Sequence, residues 1–477
     1  MMNKLLCILF CFYLVIPMTL QGEPDQDLYC GFSRIDITPP VGYRRAGNFR
    51  EIITTGVRDS LYAKAMVFRQ GTEQAVLVFC DLTSISPVVA QQARQQIAAQ
   101  TDILASNIII SATHAHTAPL YFGIRRKLFH EQALKKYQGS DPHEEIDYPK
   151  HLTAQIVQTV SRAQNSLQPV QISAGYTWQT GLSFHRRFYM KPGSERLRQP
   201  GAVVRMNPGR MHPDILRPAG PIDPKVNLLF FRNPDNTPLA SLVNFALHLD
   251  TVGGTEFSAD YPYFLQQIFQ QKYGPEFYSF FGLAPCGEIN HIDVTTKEPL
   301  TTETIGKTLA KTALDYFGWL DPVDKPALAV ESKTIRVPMK SFDSKELAKA
   351  EKDIHLMGTS EIAWLDQVQA NTILNIQARE SKELAIEIQA IRLSDNVALL
   401  ALPGEVFTEL GLAIRKAVPF ETVFIFELSN DGPGYIPTRQ GFHKGGYETV
   451  NALVAPGGGE AMADAAIELL QELHASF

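Results

Sequence analysis

Cysteine is scarce in this chain, with five in 477 residues. Cys7 and Cys11 fall in an amino-terminal apolar stretch, which leaves Cys30, Cys80 and Cys286. Three scattered thiols do not make a disulfide framework, although one bridge among them stays open. None belongs to a CxxC pair, so a thiolate zinc site has no basis. Basic runs are lacking too. Lys and Arg number 44 against 50 Asp and Glu, a net charge of −6, so nucleic acid is not an expected partner. Beyond the amino terminus no apolar run is long enough to span a bilayer. No repeat and no Ser/Gly linker divides the chain. What is present is globular: 45% of residues are hydrophobic and 20% charged, ample material for a core.

The start of the chain reads as an address. Between Met1 and Gly22 the only charge is Lys4, Leu5 to Ile16 is unbroken apolar sequence, and small Gly22 precedes a polar stretch. That layout predicts a cleavable signal peptide over residues 1–22 and a secreted or periplasmic protein. A retained anchor fits less well, because Pro17 interrupts a run already short for a span. Residues 23–477 then form one catalytic unit, with room for two lobes.

Ala75–Cys80 is a compact Val-rich run and predicts a buried strand. Val88–Ala99 has helical spacing, and Asn107–Ser111 is the next strand-like run. Strand, helix and strand in that order favour a βαβ unit. A mixed α/β fold is expected, with sheets flanked by helices. Further along, Val226–Phe231 and Leu239–Phe245 read as neighbouring strands, and Tyr261–Tyr273 as a helix. Ile386–Leu393 and Val397–Leu402 read as a hairpin, with a helix over Val406–Ala417 and a strand over Thr422–Phe426.

Several residues that bind metals stand where such runs end. His114 and His116 follow the Asn107–Ser111 run, and in an extended chain they face the same side. Neutral imidazole is a common zinc ligand, so the pair reads as a metal ligand and its partner, or as incidental loop histidines. His248 follows Leu242–Leu247 directly and by itself reads equally as a core histidine. Glu405 lies between a strand and a helix, where an acid also complements the helix dipole. Tyr435 is a loop aromatic.

Together, and in this order, these segments resemble the neutral/alkaline non-lysosomal ceramidase family along almost the whole chain. Gly31-Phe32-Ser33-Arg34-Ile35-Asp36-Ile37-Thr38-Pro39-Pro40 is similar to the family's opening segment, and Gly56 to Ala65 to its second block. Ser111 to Pro119 resembles T-H-T-H-S-G-P, with Ala115, Thr117 and Ala118 as departures. Pro403-Gly404-Glu405 matches P-G-E. Tyr435-Ile436-Pro437-Thr438 resembles Y-[IV]-T-T, and the pair Tyr447-Glu448 follows at the family's twelve-residue interval. The resemblance implies one zinc per chain, held by His114, His248, Glu405 and Tyr435. It places His116 near the metal without ligating it. Arg186 is implied as the active-site arginine, with Arg187 as the other alignment. One departure stands out: Asn290 and His291 replace Ser and Pro of the family's G-[DN]-[VL]-S-P-N segment. Polar side chains there are expected to disfavour long-chain ceramide. The family's carboxyl-terminal β-sandwich domain is not expected here.

A zinc-bound water attacking an amide carbonyl is the chemistry this set implies. Arg186 and Tyr447 are expected to stabilise the oxyanion and His116 to move the proton. The substrate class is a small-molecule or lipid N-acyl amide, with a membrane surface as an open partner. The alternatives are hydrolysis of an ester or a cyclic amide, or lipid or glycan binding without turnover.

Overall fold

A computed structural model describes residues 27–194 and 201–476. The expected signal peptide lies outside the described residues. The expected mixed α/β fold is present, as three main sheets with helices packed on them.

The first sheet runs in the order Ile108–Ala112, Glu73–Cys80, Tyr62–Gln70, Tyr29–Asp36 and Gln168–Pro169. Its strand Glu73–Cys80 pairs in parallel with Ile108–Ala112, and the helix Pro87–Gln100 makes the crossover. This is the expected βαβ unit. The second sheet repeats the device: Pro238–Phe245 and Tyr278–Leu283 are parallel, joined through the helix Tyr261–Tyr273. The third repeats it again, with Val397–Ala401 parallel to Thr422–Phe426 through the helix Thr408–Ala417. Parallel neighbours need a crossover of this kind, and ligand sites gather at the carboxyl ends of such strands.

The three units are joined at those ends. Asn430 donates its backbone N–H to the carbonyl of Ile110, at 2.8 Å, and Glu427 donates to Leu283, at 3.0 Å. One apolar cluster lies between all three sheets. At its centre Phe79 of the first sheet meets Phe280 of the second, with ring centroids 6.3 Å apart, and Phe426 of the third, at 5.1 Å. Edge-on contact of this kind adds to the burial of each ring. A second cluster belongs to the third sheet and its covering helices, including Gly458–Ala475.

Most expected elements hold to within a few residues. Tyr261–Tyr273 is a helix, as expected. The helix expected over Val406–Ala417 begins instead at Thr408, because Glu405 and Val406 form a short strand paired with Tyr435–Ile436. The two longest helices without an expectation are Gly123–Lys136 and Trp364–Gln377. Their apolar periodicity is weak, because each buries only part of one face. Cys30, Cys80 and Cys286 are all free and buried, so no bridge forms among them. No helix among the described residues is long and apolar enough to cross a membrane.

Candidate metal centre and catalytic cavity

Each βαβ unit delivers residues to one place. Ile108–Ala112 leads to His114 and His116, Pro238–Phe245 to His248, and Val397–Ala401 to Glu405. The carboxylate of Glu405 lies between two imidazoles. Its Oε2 is 3.5 Å from His114 Nε2 and 3.3 Å from His248 Nε2. Neither contact is a hydrogen bond, so Oε2 is buried without a donor. A buried carboxylate oxygen in that state is costly unless a cation takes it. The separations equal the edges of a tetrahedron with metal–ligand bonds of about 2.0–2.2 Å. The residues therefore fit a metal ion.

His116 does not reach the site by strand alternation. The strand stops at Ala112, and His114 has φ of +75°, a conformation rarely adopted by a residue with a side chain. The turn that follows still brings His116 Nε2 to 3.2 Å from His114 Nε2. The ring nitrogens of His114, His116 and His248 lie within 4.8 Å of one another. Distance by itself thus admits His116 as a ligand as well.

The other ring nitrogens are held. His114 Nδ1 is 2.7 Å from the carbonyl of Thr83, which fixes Nδ1 as the protonated nitrogen and leaves Nε2 free. His248 Nδ1 is 3.4 Å from Cys286 Sγ, whose thiol in turn reaches Glu427 Oε1 at 3.2 Å. Neither Cys286 nor Glu427 carries any motif signal. They reach the site only because the second and third sheets dock end to end.

Tyr435 is brought beside Glu405 by the short parallel pair in which the two residues are direct partners. The turn before it is tight. Gly404 has φ of +79°, and a Cβ there would sit 2.7 Å from the carbonyl of Gly434. The P-G-E glycine is thus required by the backbone. Arg186 Nη2 donates to the Tyr435 hydroxyl at 3.0 Å and to the Gly287 carbonyl at 2.7 Å. Its Nε donates to Glu448 at 2.8 Å, and Nη1 lies 3.2 Å from His248 Nε2. Arg187 turns the other way, onto the carbonyls of Gly441 and Gly445. Of the two arginines, Arg186 is the one that contacts Tyr435 and His248. Through these contacts it braces both residues. Tyr447 lines the cavity, and its hydroxyl accepts from Asn451 Nδ2 at 3.2 Å. Glu448, its neighbour in the Y-E pair, was legible in the motif but had no expected role.

Electrostatics agree with a cation site. Burial acts to raise the pKa of Glu405, but His114 and His248 outweigh it and hold the carboxyl well below its usual range. Burial, with Arg186 and His114, presses His248 down to about 4. Burial and the adjacent His114 press His116 down to about 3. Burial would lower His114 too, but Glu405 outweighs it. Burial and Glu405 push Tyr447 up to about 12.

The Gly287–Ile292 stretch does not shape the cavity. Asn290 is fully buried; its Nδ2 donates to Asn207 at 2.9 Å and its Oδ1 accepts from the Ile292 N–H at 3.0 Å. His291 pairs with Asp250 at 3.1 Å. Neither lines the cavity, so the polar wall expected from this stretch is absent.

Glu288 has a structural task. Both its oxygens accept from the backbone N–H of Thr408, at 3.0 and 3.1 Å, at the start of the helix Thr408–Ala417. Burial raises its pKa from 4.5 to about 8. The folded chain therefore holds a proton that the unfolded chain has lost, and stability from this group is complete below pH 4.5 and lost as pH rises through about 8. Glu288→Gln should gain on the wild type progressively over that window. Denaturant midpoints measured across it check this, and a gap independent of pH would sink it.

The cavity over this floor has a volume of about 300 Å³. Its walls come from loops of the first and third sheets and from the helices Gly123–Lys136 and Trp364–Gln377. Among solved structures, the fold is similar to neutral ceramidase from Pseudomonas aeruginosa, with a TM-score of 0.71 at 18% identity, over 94% of this chain and 75% of that one. It is also similar to a ceramidase complexed with C2, at 0.68 and 17% over the same shares. The architecture is thus that of the neutral ceramidase fold. Residues 29–255 match the model of the neutral/alkaline non-lysosomal ceramidase amino-terminal region. No curated protein matches the sequence.

Proposed function

We propose that this protein is an exported zinc-dependent hydrolase of N-acyl amide bonds. Residues 1–22 act as its signal peptide and residues 23–477 as its catalytic unit. The observation that carries the reading is the donorless Glu405 oxygen between His114 and His248 at the floor of a cavity. The metal ligands in this reading are His114, His248, Glu405 and Tyr435, one zinc per chain. Zinc in such a site lowers the pKa of a bound water towards 7 and polarises a carbonyl.

The chain's own groups do the rest. Tyr447 keeps its proton at neutral pH and donates it as a hydrogen bond to the oxygen that becomes negative when water adds to the carbonyl carbon. His116 lines the cavity beside His114; from there it accepts a proton from the attacking water and returns it to the nitrogen as the C–N bond breaks. The products are a carboxylate and an amine. Arg186 holds Tyr435 and is itself held by Glu448.

The test combines zinc stoichiometry with a panel of N-acyl substrates and two variants. His114→Ala should lose both zinc and turnover. His116→Ala should keep zinc and lose roughly 100-fold or more in kcat, in the range of general acid–base catalysis. If His116→Ala loses zinc as badly as His114→Ala, His116 is a ligand and the division of roles is wrong. A zinc-loaded protein that cleaves no amide would overturn the function.

A further inference from the structure

Two arginines stand at the cavity's mouth without a carboxylate. Arg125, on the helix Gly123–Lys136, lies over the Phe49 ring with its guanidinium carbon 4.9 Å from the centroid. Its Nη1 donates to the backbone carbonyl of Asn48, and no protein acceptor among the described residues takes Nε or Nη2. Arg125 lines the same cavity as Tyr447 and Glu405. Arg379 follows the helix Trp364–Gln377 and lines the same cavity. Its guanidinium has no hydrogen bond or ion pair among the described residues.

Elsewhere the buried guanidiniums of this protein are answered. Arg44 pairs with Glu51, Asp141 and Glu144. Arg186 and Arg187 share Glu448, and Arg415 pairs with Asp223. Arg45, the neighbour of Arg44, is spent on the carbonyls of His116 and Gly254. Among the described residues two carboxylates line the cavity: Glu405, which lies between His114 and His248, and Asp431, which accepts from the Gly432 N–H at 2.7 Å and feels the charge of Arg379 without forming an ion pair with it. Neither carboxylate forms an ion pair with Arg125 or Arg379.

We propose that the substrate is an anionic N-acyl amide, whose carboxylate, phosphate or sulfonate is held by Arg125 and Arg379 while the amide lies over His114, His116 and Glu405. The proposal rests on the hydrolytic reading of that floor. A wholly apolar chain filling the mouth would strip water from both guanidiniums and return nothing. An oxyanion returns paired, charge-assisted hydrogen bonds, which the planar guanidinium fork donates two at a time.

The experiment uses the zinc-loaded enzyme and four probes of equal acyl length: N-decanoylglycine, N-decanoyltaurine, N-decanoyl phosphoethanolamine and neutral N-decanoylethanolamine. At least one anionic probe should exceed the neutral one in kcat/KM by about tenfold or more, the size of one charge-assisted hydrogen bond. Which one leads distinguishes carboxylate from sulfonate and phosphate. The ratio should fall with added salt and approach one in Arg379→Gln. Arg125→Gln should do the same if circular dichroism shows it folded; otherwise Arg379→Gln decides. Calorimetric Kd values for the same probes judge the anion site separately from turnover. If nothing is cleaved but anionic probes still bind more tightly, the hydrolase reading fails and the anion site stands. Equal binding and equal kcat/KM for charged and neutral probes, or a preference untouched by Arg379→Gln, would overturn the proposal.

Discussion

Alanine at His248 should empty the metal site while leaving the fold in place. His248 is fully buried, with Nε2 turned to Glu405 and Nδ1 against Cys286. Losing an outer partner of a ligand costs about 10–100-fold in metal affinity, so losing a ligand should cost more than about 100-fold. Zinc should drop from about one per chain to a trace, and hydrolysis with it. Far-UV circular dichroism should be unchanged, because the three-sheet core lies below the site. Glu405→Gln should behave in the same direction, since an amide replaces the charge that faces both imidazoles. Glu409→Gln is the matched control. Glu409 lies in the first turn of the following helix, 3.2 Å from Thr438 Oγ1 and 3.9 Å from Lys444, away from the cavity floor. Zinc retained in full by His248→Ala would falsify its assignment; equal small effects of the two glutamine variants would return Glu405 to a helix-dipole role.

The largest loss of stability should come from Glu448→Ala. Glu448 has no exposed surface and neutralises Arg186 at 2.8 Å and Arg187 at 3.3 Å. Its removal leaves two buried guanidiniums side by side with no anion. Breaking a buried pair by removing one partner costs about 3–5 kcal/mol. Arg186→Met should cost less, because Arg187 still answers Glu448. The same variant should also loosen Tyr435, which Arg186 holds, and so weaken metal binding. Chemical denaturation of both variants gives the comparison. A loss below about 1 kcal/mol in Glu448→Ala, the scale of an exposed pair, would mean that water reaches the arginines and that the network does not hold the site.

How much was legible before folding depended on how local the cause was. The strand Glu73–Cys80 and the helix Tyr261–Tyr273 follow from composition and periodicity within a few residues. The boundary at Glu405 did not, because pairing with Tyr435, thirty residues away, turns it into strand before the helix can begin. His116 reached the site for a different reason from the expected one: a left-handed residue at His114 turns the chain where alternation was assumed. Asn290 and His291 looked like cavity residues in the motif order, but each found a buried or paired partner outside the cavity.

By itself the sequence determined the α/β class, the order of the βαβ units and the residue types able to bind a metal at their strand ends. Those depend on neighbours a few positions apart and on motifs read in line. Only the tertiary structure decided that three units dock at their carboxyl ends, and so that Glu405 lies between His114 and His248. It also decided that Arg186 braces Tyr435 and His248, that Cys286 and Glu427 support the site, and that Arg125 and Arg379 face its mouth. Those outcomes are contacts between residues far apart in the chain, selected by packing among three sheets.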